Sequence, residues 1–137
     1  MRLAARFLTL PLLAGLVSCH PPPRTTPTPS SADAKVVLGF LEAYGQRDLE
    51  GMSNCLADDA VFLGSAGSLS KPQIREFFRT AFRKHPKLRV EVISLRDAQG
   101  EVQAVVKVET EAIWTDTWIF ELKNHRIHRY TLVSVRR

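Results

Sequence analysis

The chain has 137 residues, 45% of them hydrophobic and 24% charged, which fits one ordinary domain with a packed core and excludes a disordered chain. The formal net charge is +5, but setting aside Arg2 and Arg6 of the first eighteen residues leaves 17 basic against 14 acidic groups, too weak a bias for a nucleic-acid partner. Two cysteines cannot define a disulfide framework, and neither Cys-x-x-Cys nor His-Glu-x-x-His spacing occurs, so no metal site and no cofactor is expected.

Arg2 and Arg6 precede an apolar run from Phe7 to Val17, broken only by Thr9, Pro11 and Gly15. A bilayer-spanning helix needs ~20 apolar residues, so this shorter run fits the h-region of a signal peptide over residues 1–18. Leu16-Val17-Ser18-Cys19 resembles the lipobox of bacterial lipoproteins, in which the cysteine is acylated and becomes the first residue of the mature chain. That resemblance implies export, anchoring to the bilayer through Cys19, and residence in the cell envelope. His20 stands where Asp would favour inner-membrane retention, so the expected destination is the outer membrane, facing the periplasm, in a Gram-negative cell. An ordinary secretory peptide with an incidental cysteine is the alternative.

Residues 19–31 read as a tether. Five of the eight prolines fall between His20 and Ser31, which excludes helix and sheet and favours an extended polyproline segment. At ~3.1 Å per residue it reaches about 35 Å from the lipid. The globular domain is then 32–137.

Ser31 is placed to cap a helix carrying Val36, Val37, Phe40, Leu41 and Tyr44, with Gly45 at the C-cap. Asp48 caps a short second helix with Leu49, Met52 and Leu56. Ser70-Lys71-Pro72-Gln73 has the form of a capping box, followed by Ile74, Phe77, Phe78, Ala81 and Phe82 on one face and a stop at His85-Pro86. A short strand over 60–63 precedes this third helix. After Lys87 the apolar period changes to two, predicting a four-stranded antiparallel meander over 88–95, 101–112, 116–122 and 126–135. Helices first and a curled sheet second give an α+β fold.

Making the apolar faces coincide predicts the register. A loop at Ala98-Gln99-Gly100 sets Val90, Val92 and Ser94 against Val108, Val106 and Ala104. A loop at Ile113-Trp114-Thr115 sets Ala112, Thr110, Val108 and Val106 against Asp116, Trp118, Phe120 and Leu122. A turn at Asn124-His125 sets Leu122, Phe120, Trp118 and Asp116 against Ile127, Arg129, Thr131 and Val133. The outer face then carries Ile93, Val105, Ile119, Tyr130 and Leu132 among charged groups, and could support a homodimer.

Phe40-Leu41-Glu42-Ala43-Tyr44, Asp48-Leu49-Glu50-Gly51-Met52 and Leu56-Ala57-Asp58-Asp59-Ala60-Val61-Phe62, in that order, resemble the opening of SnoaL-like members of the nuclear transport factor 2-like superfamily. Ile74 to Phe78 and Phe120 to Ile127 sit where that family has its third helix and last hairpin. The resemblance implies a cone-shaped, cystatin-like roll: three N-terminal helices on a strongly curved antiparallel sheet, with a cavity between. Isomerases, polyketide cyclases, dehydratases and domains without chemistry share that fold, which does not choose among them.

The predicted inner face nominates Tyr44, Phe78, Val92, Ser94, Val106, Thr110, Asp116, Trp118, Phe120, Arg129 and Thr131 as pocket-lining, with Trp114 at the rim. Asp116 is the one inward carboxylate on the strands and the candidate catalytic base, since a proton-transfer enzyme needs a tuned acid in an apolar site. A dyad of Asp116 with His128 is disfavoured by the register, which puts His128 outside, opposite Glu121. Arg129 is placed to clamp a ligand carboxylate or to pair with Glu42, Asp58 or Asp59. Cys55, without a histidine partner, reads as a structural thiol. On the third helix Arg75, Arg79 and Arg83, joined by Lys71, Lys84, Lys87 and Arg89, read as a solvated basic face. The leading expectation is a non-catalytic envelope lipoprotein binding a small apolar ligand or a partner protein. An isomerase, cyclase or dehydratase using Asp116 is the alternative, and a structural dimerisation module is the third reading.

Overall fold

Two side-chain caps start the domain. In the computed structural model, which describes residues 26–65 and 67–136, Ser31 Oγ accepts from the Ala34 N–H at 3.0 Å and opens α1 (Ala32–Gly45). Asp48 Oδ1 accepts from the Gly51 N–H at 3.0 Å and opens α2 (Leu49–Cys55). The expected signal segment, Cys19 and the first half of the tether lie outside the described residues. Gly45, expected as a C-cap, is instead the last helical residue, and Gln46 caps α1. Arg47 takes the left-handed conformation, φ 57°, and its guanidinium donates to the Leu88 carbonyl at 3.0 Å, tying the turn after α1 to the start of the sheet.

Leu56 does not extend α2. Its backbone is already extended, and it begins β1 (Leu56–Gly64). A short β2 (Gly67–Ser70), absent from the expected elements, returns along β1 to α3 (Lys71–Lys84). There the Gln73 side-chain carbonyl accepts from the Ser70 N–H at 2.9 Å, and Pro72 occupies the first turn. The meander follows as β3 (Arg89–Ala98), β4 (Glu101–Glu109), β5 (Ile113–Lys123) and β6 (Arg126–Arg136). The six strands run in the order β2-β1-β6-β5-β4-β3; β1 lies parallel to β6, and every other neighbouring pair is antiparallel.

The meander departs from the predicted register in four places. Between β3 and β4, Gln99 and Gly100 form a two-residue turn, both with positive φ. A bulge after Val92 then pairs Ser94 with Val105 and Leu95 with Ala104, so Ser94 is exposed on the outer face rather than turned into the pocket.

The β4 to β5 connection is Thr110-Glu111-Ala112, not Ile113-Trp114-Thr115. The Thr110 N–H donates to the Ala112 carbonyl at 2.8 Å and the Ala112 N–H to Thr110 Oγ1 at 3.3 Å, closing the turn early. Asp116 therefore pairs with Val106, and Trp118 with Ala104. The slip is an even number of residues, so Asp116, Trp118 and Phe120 keep the inner face.

Between β5 and β6 the turn is at Asn124-His125 as expected, with φ of 53° and 59°. A bulge at His128 then reverses the strand, so that Tyr130 and Leu132 turn inward and Arg129 and Thr131 outward, and a second bulge at Val133 shifts the register again, pairing Thr117 with Ser134 and Asp116 with Val135 rather than with Val133. The energetics favour this reversal. Tyr130, fully buried, lies between Phe62 (ring centroids 4.6 Å apart) and Phe120 (5.5 Å). Burying such a ring contributes ~1.5–3 kcal/mol, whereas an inward Arg129 would desolvate a charge. Arg129 instead meets Glu121 on the surface, 3.5 Å away.

The core is continuous from α1 to the sheet. Phe40 contacts Phe78, Phe120 and Tyr130 edge-on, over a floor of Val102, Ala104, Val106 and Val108. α3 lies over β1 and β2, burying Ile74 and Phe78.

Candidate functional site

Period two puts Trp114, Asp116 and Trp118 of β5 on one face, and that face looks into a cavity of about 530 Å³. α3 closes one side with Phe77 and Phe78, and α1 supplies Tyr44. Phe62 of β1 adds to the wall, its ring 5.9 Å from that of Phe77 and 5.5 Å from that of Trp118. Its ring tip lies close to Gly64, where an added Cβ would come within 2.8 Å of it, so a larger residue there requires the Phe62 ring to shift. Leu69 and Leu132 complete the apolar lining, and Ser65, Gly67 and Ala112 edge it.

Of the residues nominated from sequence, Tyr44, Phe78, Trp114, Asp116 and Trp118 line this cavity. Trp114 is half-buried in a strand and forms wall rather than a loop tip. Val106 and Phe120 are fully buried in the core and do not reach it, and Val92 edges a separate groove between α1 and β3. Thr110 lies in the β4–β5 turn, and Ser94, Arg129 and Thr131 point away; these seven are corrected as lining residues. Sequence reasoning missed Phe62, Phe77, Leu69 and Leu132. Leu132 was hidden by the bulge and Leu69 by the unforeseen β2. Phe77 shares the apolar face of α3 with Ile74 and Phe78 but is 47% exposed at the cavity wall.

Asp116 is the charged residue of this lining. It is 5% exposed, and its Oδ1 has no hydrogen-bond partner among the described residues. Burial raises its carboxyl above the ordinary value, opposed by hydrogen bonding from the Trp114 side chain. Tyr44 is raised by burial first and by the nearby Asp116 charge second, so it stays a neutral phenol. Trp118 Nε1 and the Tyr130 hydroxyl also lack partners among the described residues. An unpaired buried polar atom costs ~1–3 kcal/mol. The interior thus offers a carboxyl acceptor and an indole donor two residues apart on one strand face, surrounded by ring faces.

Other candidate groups pair elsewhere. His128 Nδ1 lies 3.5 Å from Asp59 Oδ1, so it forms no dyad with Asp116 and does not face Glu121. His85 meets Glu111 at 2.9 Å and His125 meets Asp33 at 3.1 Å. Cys55 is half-buried with Sγ 3.4 Å from the Gly51 carbonyl, and burial pushes its thiol up, away from reactivity. On α3, Arg75 pairs with Glu50, Arg79 with Glu76, and Lys71 lies 3.6 Å from Asp58. Among the described residues no cluster of His, Cys, Asp and Glu is placed to hold a metal ion.

With this geometry in place, comparison with known proteins adds the following. A family model described as "SnoaL-like domain" matches residues 37–130. No curated protein matches. An uncharacterised cystatin-fold protein from Novosphingobium aromaticivorans superposes with a TM-score of 0.69 at 14% identity, covering 77% of this chain and 100% of that one. An NTF2-like protein from Cytophaga hutchinsonii gives 0.64 at 14% identity, over 74% and 88% of the two chains. A candidate polyketide cyclase from Sinorhizobium meliloti gives 0.67 at 19% identity, over 72% and 94%. At these identities the likeness is one of fold.

Proposed function

Because this chain belongs to the SnoaL-like domain family and has the nuclear-transport-factor-2-like, or cystatin-like, α+β fold, we propose that its cone is a receptor for a small, largely apolar ligand. The observation that carries this reading is the cavity of about 530 Å³, walled by aromatic rings from α1, α3, β1 and β5 around one buried carboxyl. That volume lies in the range of small-molecule sites, ~300–1,000 Å³, and an apolar lining with few convergent polar groups is their usual composition. The receptor is exported and held at the envelope membrane by acylated Cys19, with residues 19–31 as its tether; the signal-like residues 1–18 and the lipobox-like sequence support this part.

Native mass spectrometry of the full chain, purified gently from its own host, tests the receptor reading. A retained small molecule is expected, and it should be lost in Ala112→Trp, which fills the cavity edge from an exposed turn position. A parent chain at its bare mass, or equal retention by both proteins, would refute the reading.

A second reading is favoured by one observation, the raised carboxyl of Asp116 beside neutral Tyr44. A desolvated acid next to a hydrogen-bond donor is the minimum for proton transfer at carbon, as in isomerase, cyclase or dehydratase chemistry. The candidate cyclase among the fold neighbours is consistent with it. Asp116→Asn should then abolish turnover while keeping ligand affinity.

A further inference from the structure

The cavity has a one-sided electrostatic character. Six of its lining residues, Tyr44, Phe62, Phe77, Phe78, Trp114 and Trp118, carry rings, and among the described residues no Lys, Arg or His lines it. Each aromatic ring presents a negative face, which attracts a cation within ~6 Å of its centroid. Among the described residues Asp116 is the one carboxyl of the lining; it is nearly inaccessible, and its Oδ1 has no partner among them. Its cross-strand neighbour on β4, Val106, is aliphatic and brings no counter-charge. Other buried carboxyls in proteins are generally compensated by a cation or by donors, because an isolated charge in an apolar site is strongly disfavoured.

We propose that this cavity takes an organic cation: a protonated or quaternary amine on an aromatic or alicyclic body, its charge set between the Asp116 carboxylate and the surrounding ring faces. The inference rests on the receptor reading and names the class of its ligand. An anionic ligand finds no cationic partner among the described lining residues and would meet Asp116 and the ring faces with like charge. A neutral ligand leaves the carboxyl uncompensated. An ammonium supplies the counter-charge, and its hydrophobic body fills the apolar remainder beside Leu69 and Leu132. Trp118 Nε1, a donor without a partner, adds a contact for an acceptor atom on that body.

The test is calorimetric titration of the full chain, at pH 7, with three probes of similar size: benzylamine, phenyltrimethylammonium and benzyl alcohol. Both cations should bind at least about tenfold tighter than the alcohol, and Asp116→Asn should erase that preference while leaving alcohol binding in place, which also shows that the variant is folded. If benzyl alcohol binds the parent as tightly as the cations, the cation assignment falls and the receptor reading stands. If the cation preference survives Asp116→Asn, the charge is read outside this cavity and the assignment also falls. If no probe binds, both the assignment and the receptor reading are contradicted.

Discussion

Phe120 and Tyr130 are cross-strand partners on β5 and β6, their rings stacked 5.5 Å apart and 15° from parallel. That pair exists because one extra residue at His128 turns Tyr130 inward. The bulge fills the interior with a ring and puts Arg129 at the surface beside Glu121. The Tyr130 hydroxyl has no partner among the described residues. Tyr130→Phe should therefore be neutral or stabilising, while Tyr130→Ala should cost ~3–5 kcal/mol through lost burial and a cavity. Urea denaturation of both variants checks this, and a cost above ~2 kcal/mol for the Phe variant would mean that the hydroxyl is bonded.

Phe78 is 3% exposed and meets Tyr44 and Phe40 edge-on, 5.1 and 6.3 Å between centroids. Phe78→Ala should cost ~3–5 kcal/mol, a large share of an ordinary domain's stability. Neighbouring Phe77, 47% exposed, should tolerate truncation far better and lose ligand affinity instead. Thermal melts of the two variants distinguish the roles, and similar midpoints would contradict them.

Asp116 gives a pH dependence of definite sign. Its carboxyl is raised in the fold by burial, so between the unfolded value of 3.8 and the higher folded value the native state binds more protons than the unfolded one. Stability attributable to this group is complete below 3.8 and is lost as pH rises through the folded value. Asp116→Asn removes that loss, so the ligand-free variant should gain on its parent from acidic to neutral pH. Urea midpoints at pH 4 and pH 7 measure the gain, and a variant-minus-parent difference that stays constant or falls between them contradicts the assignment.

Cys19 carries the anchoring proposal. Cys19→Ser should move the protein from the membrane to the soluble fraction and abolish labelling by a palmitate analogue. Continued labelling and membrane retention would show that the anchor lies elsewhere.

The parts legible in the sequence were those with local signals. Ser31, Asp48 and Ser70 mark three helix starts because capping is decided within a few residues. The inward direction of Asp116 and Trp118 also survived, since strand alternation is preserved by any even slip. What failed depends on partners distant in sequence. The bulges at Ile93-Ser94, His128 and Val133 leave no mark in the apolar period that local reading could detect, and each reverses the pairing of the residues beyond it. The cavity could not be outlined from one face alone, because Phe62 and Leu69 reach it from strands whose pairing depends on β6 and on the short return at Gly67. Trp114 was assigned to a loop because Thr110 closes the turn earlier than the hydrophobic pattern suggests.

Trp118 provides the most direct probe of the receptor reading, since it lines the cavity and its Nε1 has no partner among the described residues. The measurement is the ¹H–¹⁵N spectrum of the full chain, with the indole signals assigned by Trp118→Phe and Trp114→Phe, before and after addition of an organic-solvent extract of its own host's envelope. Both indole N–H signals should shift saturably while amides of the outer face, such as Ile119 and Thr131, stay fixed. Unmoved indoles, or shifts confined to the outer face, would contradict a ligand in the cone.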